Sequence, residues 1–227
     1  MTRESFHESL EKMELDLLTL GELAITAIER GSHALVDRDS ELARRVIEED
    51  DPIDELYIKI DTGILEMLAL QSPVAQDLRL VSAILHSCLH LERIGDQAVN
   101  IAKIHLATED LPGSDVLRTQ IEEMSTLVLG MLRTVLEAFA RRDLELCLKL
   151  PVMDDPVDRL NRLTHLEALK LADDPRALDW GLHMNLVARA LERVGDNAVD
   201  IAEQVGFLIT GEFYEFTDAS HPVESGT

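Results

Sequence analysis

Apolar residues recur at steps of three and four almost from end to end of this chain, and the strict alternation of a half-buried strand is missing. The rhythm pauses where helix-start chemistry stands. Asp39, Ser72 before Pro73, Ser114, Asp143 and Asp174 before Pro175 each offer a side-chain oxygen to the free N–H groups of a first turn. The pattern predicts six helices, at 3–37, 39–69, 73–107, 115–141, 143–171 and 175–210. Gly211 is the expected left-handed stop of the last one, and EFYEFTDASHPVESGT then reads as a loose tail. Pro52 and Pro156 fall inside the second and fifth helices, with Pro151 as a further breaker. An interior proline deletes a backbone hydrogen bond and clashes one turn back, so a bend or interruption is expected at each.

The pattern also repeats. Asp39, Pro52 and Asp54 align with Asp143, Pro156 and Asp158, each 104 residues on, while Glu92 and Asp96 align with Glu192 and Asp196 at a distance of 100. ERIGDQAVNIAK and ERVGDNAVDIAE share eight of twelve positions. The expected fold class is therefore all-α, six long helices arranged as two tandem-repeated antiparallel three-helix bundles. The bundles take residues 1–108 and 109–211, joined through TEDLPGSD, with the tail at 212–227.

Charge narrows the function. With 44 Asp and Glu against 21 Lys and Arg the formal balance is −23, which opposes binding to nucleic acid or anionic lipid and slows the approach of any anion, free phosphate included. Cations and basic protein patches are favoured instead. Cys88 and Cys147 stand in apolar helical settings without a shared motif, so buried free thiols and a reducing compartment are expected. The opening MTRESFHESLEK lacks the apolar centre of a signal peptide, and no window reaches about 18 apolar residues, so a cytoplasmic location is expected.

Candidate chemistry lies in two rows of oxygens. Glu92, Asp96 and Asn100 are spaced i, i+4, i+8, and Glu192, Asp196 and Asp200 repeat the spacing. At about 100° per residue each row sits on the shoulder of the core stripe, where a neighbouring helix begins. The second helix of each bundle offers a matching pair, Asp50 and Asp54 in one, Asp154 and Asp158 in the other. Four carboxylates brought between two helices repel one another until protonation or a multivalent cation relieves them. All-oxygen donors suit magnesium, calcium, manganese or oxidised iron, with zinc still open. The competing reading is an acidic face that falls at helical spacing because the chain is so acidic. Gly95 and Gly195 cost about 1 kcal/mol each in mid-helix, which is rationalised if another backbone approaches them closely. His86 and His90 have Leu186 and Ala190 as counterparts and read as core or shoulder histidines, and Arg93 and Arg193 as partners of Asp96 and Asp196. No phosphate-cradling glycine motif, nucleophile elbow or CxxC occurs, so the sequence offers no catalytic residue and no organic cofactor site.

On SPVAQDLRLVSAILHSCLHLERIGDQAVNIAK, DDPID and LERVGDNAVDIAE the chain resembles the PhoU family, regulators that accompany bacterial phosphate-specific transport, over about residues 5–210. The resemblance implies six-helix tandem bundles in which E(D)-x-x-x-D motifs hold multinuclear iron or zinc clusters in some members. The matching metal positions are Asp50, Asp54, Glu92, Asp96, Asp154, Asp158, Glu192 and Asp196. Asn100 and Asp200 are further candidates, and manganese or magnesium further ions. It implies a non-enzymatic adaptor that restrains the phosphate-starvation response, with the phosphate ABC transporter ATPase and a sensor histidine kinase as partners. Membrane contact through those proteins only, and a homodimer, belong to the same expectation. The second copy departs from the first at Asp200 for Asn100 and at Val152-Met153 for Glu48-Glu49, and has no counterpart of Arg79. Two other readings compete, an inert helical scaffold and a ferritin-like carboxylate-bridged metal enzyme. The enzyme would need paired Glu-x-x-His motifs, and the one instance is Glu4-x-x-His7.

Overall fold

The computed structural model describes residues 3–70, 73–213 and 215–216, the first three as backbone only. Eight helical segments build six rods: α1 (Arg3–Val36), α2 (Ser40–Glu48), α3 (Asp51–Leu70), α4 (Ala75–Ala107), α5 (Asp115–Arg141), α6 (Leu144–Cys147), α7 (Leu150–Leu169) and α8 (Pro175–Thr210). The predicted caps do their work. Asp39 accepts from the N–H of Leu42, Ser114 from Leu117, Asp143 from Glu145 and Leu146, and Asp174 from Arg176 and Ala177. Ser72 lies outside the described residues, and α4 begins at Ala75 behind an extended Val74 rather than at Pro73.

Two rods are interrupted near a proline, as expected at Pro52 and Pro151. The second ends at Glu48 and resumes at Asp51, because Pro52 has no N–H to give to the preceding turn and is tolerated only in the first turn of a new helix. In the fifth rod the break comes earlier, at Leu148 and Lys149, where Pro151 takes the first-turn place. Pro156 then lies inside α7, which continues through it, so the expected interruption at DDPVD is absent.

Within each half the rods pack as an antiparallel trio, α1 with α2–α3 and α4, and α5 with α6–α7 and α8. The halves join along α4 against α8 and α1 against α5. Buried Leu20, Ile28, Ile84 and Ile101 of the first half and Phe139, Leu191, Ile201 and Val205 of the second belong to one hydrophobic cluster. The linker at 108–115 thus separates two bundles in topology, but not in their core. Two polar clasps reinforce the seam. His90 Nδ1 stands 2.8 Å from Asn197 Oδ1 and 3.4 Å from Asp200 Oδ2, which sets α4 antiparallel to α8. Arg142, left-handed at φ 54°, reaches Glu14 at 2.6 Å and lies 4.5 Å above the Phe139 ring.

Cys88 and Cys147 are free and buried, and burial pushes their thiols up to about 12 and about 11. Met67, Met124, Met131 and Met184 fill core space. Among the described residues no helix is long and apolar enough to cross a membrane.

At the end of α8 the described residues are packed rather than loose. Gly211, at φ 77°, caps the helix and reverses the chain. Phe213 stacks on Phe207 at 4.2 Å, and the Phe216 N–H donates to Glu203 Oε1 at 2.7 Å. The remainder of the expected tail, residue 214 and 217–227, lies outside the described residues.

Candidate metal centres

At each junction of the second and third rods the predicted carboxylates lie along facing helices, close enough to feel one another's charge. In the first half Asp50, in the break before α3, and Asp54 of α3 stand within electrostatic reach of Glu92 and Asp96 of α4. Their mutual charge bears on their protonation. Burial, then the charges of Asp54 and Asp96, raise the Asp50 carboxyl above its ordinary range, and Lys103 opposes this. Burial, then Asp96 and Asp54, raise Glu92 likewise. The centre is open, with Asp54 and Asp96 exposed and Asp50 and Glu92 half-buried.

The second centre is more enclosed. Asp154 and Asp158 of α7 and Glu192, Asp196, Asp200 and Glu203 of α8 line one cavity of about 310 Å³, which Pro151 and Phe216 help to wall. Glu192 is only 9% exposed. Its Oε1 accepts from Arg189 Nη1 at 2.7 Å, whereas its Oε2 is buried without a hydrogen-bond partner. Burial and the Asp196 charge raise its protonation range, and Arg189 pulls the other way. A desolvated carboxylate oxygen with no donor is costly until a proton or a cation reaches it.

Gly95 and Gly195 do make room, but for side chains and not for backbone. A Cβ at Gly95 would meet Ile53 Cδ1 at 2.9 Å, and one at Gly195 would collide with the Asp154 carboxylate. Loss of a side chain on α8 therefore admits a ligand atom from α7.

The donor set fits an oxygen-preferring cation: carboxylates only, crowded, half-buried, with one orphaned oxygen. Among the described residues no three His, Cys, Asp or Glu side chains are already gathered about one point. A cation would have to draw the carboxylates inward by side-chain rotation. Asn100 stands in a different recess, with Lys103 and Arg189, while Asp200 joins the second cavity. Glu203 was not foreseen. It continues the line of Glu192, Asp196 and Asp200 one turn further, and its counterpart Lys103 concealed it in the repeat comparison. Among the histidines, His7 pairs with Asp77 at 3.9 Å, and His86 is exposed on α4 and contacts Ser82.

Comparison with known proteins gives a consistent result. The family model of the PhoU domain matches twice, at residues 17–104 and 121–205. A phosphate-specific transport system accessory protein PhoU homolog of Pseudomonas aeruginosa is 35% identical over 219 residues, 96% of this chain and 88% of that protein. One from Caulobacter vibrioides is 34% identical over 212 residues, covering 93% and 92%. The crystal structure of PhoU from Pseudomonas aeruginosa superposes with a TM-score of 0.87 at 35% identity, covering 91% of this chain and 100% of that one. That of the phosphate transport system regulatory protein PhoU from Streptococcus pneumoniae gives 0.84 at 29% identity, covering 92% and 99%.

Proposed function

The chain belongs to the PhoU family, and on that premise we propose that it is a non-enzymatic regulatory adaptor of phosphate-specific transport. In this reading it links the phosphate ABC transporter ATPase to a sensor histidine kinase and restrains the starvation response while phosphate is sufficient. It works on the cytoplasmic side, meets the membrane through those proteins, and pairs with a second copy. The support is of two kinds. Relatives alike over nearly their whole length are named accessory proteins of the transport system. Among the described residues the second centre's cavity is lined by carboxylates, proline, valine and phenylalanine, with no serine, cysteine, lysine or histidine on its wall.

The observation that carries the metal part is the buried, unpartnered Glu192 Oε2 in a cavity of six carboxylates. Asp154, Asp158, Glu192 and Asp196 would hold a cation there, with Asp200 and Glu203 in reach, and Asp50, Asp54, Glu92 and Asp96 would hold one in the first half. The bound ion supplies the positive charge that each cluster lacks. The protein's own contribution is mechanical. Asp200 also meets His90 of α4, so the second centre is tied to the seam between the halves.

A pull-down from membrane extracts of phosphate-rich and phosphate-starved cells tests the adaptor role, with the ATPase and kinase expected to be recovered in proportions that change with phosphate. Recovery of neither under both conditions, or catalytic turnover by the purified chain, overturns it. Light scattering of the purified chain tests the pairing, with twice the monomer mass expected.

A further inference from the structure

In a chain so acidic, one recess has cations as its only charged lining among the described residues. Between α4 and α8 lies a cavity of about 260 Å³ whose polar lining is Gln97, Asn100, Lys103, Arg189 and Arg193, with no acidic residue on its wall. Lys103 and Arg193 make no ion pair within 4.0 Å among the described residues. Arg189 spends one nitrogen on Glu192 Oε1 at 2.7 Å and is otherwise 58% exposed. Each guanidinium carries five N–H donors in a planar fork, so Arg189 keeps donors free for a second acceptor.

The antiparallel pairing of α4 with α8 makes this recess the counterpart of the neighbourhood of His90. The charges differ between the two at three of four positions, Arg193 alone keeping its cationic counterpart in Arg93. Where this recess has Asn100 and Lys103, the other end of the seam has Asp200 and Glu203, both on the wall of the acidic cavity. Where it has Arg189, the counterpart is Leu89. Duplication alone would have left the two ends alike.

We infer that the α4–α8 recess is an anion site for a small tetrahedral oxyanion of the phosphate or sulfate class, held by Lys103, Arg189 and Arg193 with the Asn100 amide as a neutral donor. Two guanidinium forks recognise an oxyanion face by parallel N–H···O bonds, and an ammonium adds a point charge. The overall charge of −23 does not forbid this. Beyond about 8 Å at physiological ionic strength the acidic surface is screened, and inside the recess three cations are the near field. The opposing groups that these cations feel are Glu192, paired to Arg189 and influenced by Arg193, and Asp50, which feels Lys103. The site needs no metal, although Arg189 joins it to Glu192 of the second carboxylate centre.

The test is titration of the full chain with inorganic phosphate, sulfate and free phosphoserine in metal-free buffer containing a chelator, followed by calorimetry and by ³¹P line shape. Saturable one-to-one binding is expected. Arg193→Gln and Lys103→Gln should each weaken it about tenfold or more, the loss of one charge-assisted hydrogen bond, while Lys170→Gln on the far surface leaves it unchanged. Binding of phosphate and sulfate without phosphoserine identifies a free ion as the ligand; binding of phosphoserine as well identifies a phosphoryl group carried on a larger molecule. Both residues are exposed, so circular dichroism should show intact helices in the variants. Absence of saturable binding to all three ligands, or affinities in the two variants equal to wild type, overturns the inference.

Discussion

The Asp154 carboxylate occupies the space that a Cβ on Gly195 would need, so a residue of α7 reaches its place in the second centre only because α8 has no side chain there. Gly195→Ala should gain about 1 kcal/mol of helix propensity, push the carboxylate aside, and leave the metal-free thermal midpoint nearly unchanged. Its affinity for Mn²⁺ at the second centre should fall about tenfold or more. Gly95→Ala differs, because its Cβ would press on Ile53, a buried core side chain, at 2.9 and 3.1 Å. That variant should lose about 1–3 kcal/mol by overpacking. Chemical denaturation and metal titration of the pair separate the two effects.

Asp96→Ala and Asp196→Ala should each lower the metal content of their own half and leave the helices intact. Without metal both should be neutral or slightly stabilising, by about 0.2–0.5 kcal/mol for each crowded pair relieved, since Asp96 bears on Asp50 and Glu92, and Asp196 on Glu192. With metal the sign reverses, because a ligand that binds only the folded state stabilises it in proportion to its affinity. Elemental analysis after gentle purification and thermal midpoints with Mn²⁺, Fe³⁺, Zn²⁺ and Mg²⁺ decide it. Identical responses of wild type and variants would make the rows an interaction surface for basic partner residues.

The same carboxylates set a pH dependence. In the folded state Asp50, Glu92 and Glu192 hold their protons to higher pH than in the unfolded chain, chiefly through burial. Between the two ranges the folded state binds more protons, so stability falls as pH rises. The contribution is fully present below about pH 4, the unfolded carboxylate range, and is lost as pH climbs through the raised folded values. His105 works in the opposite sense. Burial lowers its folded range, so its contribution is present above about pH 6.5 and is lost as pH falls. Denaturation of metal-free wild type and Glu192→Gln across pH 4–8 should show the variant with the smaller decline. Parallel curves would contradict the crowding.

Arg142 combines a left-handed backbone with the Glu14 pair and the Phe139 contact. Arg142→Ala should lose about 1–2 kcal/mol, because it keeps the strained backbone and gives up both contacts. Arg142→Gly should be less damaging by about 1 kcal/mol, since glycine adopts that conformation freely. Urea midpoints of the two variants measure the difference.

Helices, caps and the duplication were legible because they depend on spacing and on local side-chain hydrogen bonds. Asp39, Ser114, Asp143 and Asp174 each acted where they stood. The carboxylate rows were legible for the same reason, one helix face at a time. Which proline interrupts the fifth rod was not, since Pro151 and Pro156 compete for the first-turn place and tertiary packing decides between them. Nor was the cationic recess. Lys103 and Arg193 are ninety residues apart, and nothing within either helix says that they face the same space. Glu203 fell between these cases, visible along its own helix and masked by Lys103 in the comparison of copies.

The reversal at Gly211 bears on how this protein is handled. Phe216 lies on the wall of the acidic cavity, and Thr227 is only eleven residues further along. A segment of that length spans at most roughly 40 Å, so an oligohistidine handle fused after Thr227 could reach Asp200 and Glu203. Its imidazoles would add donors of a kind that none of the described residues on that wall offers, and nickel carried over from an affinity column would be delivered to the same place. Metal counts on such material would describe the handle as much as the protein. A handle placed ahead of Met1, or cleaved before analysis, keeps the second centre's chemistry its own.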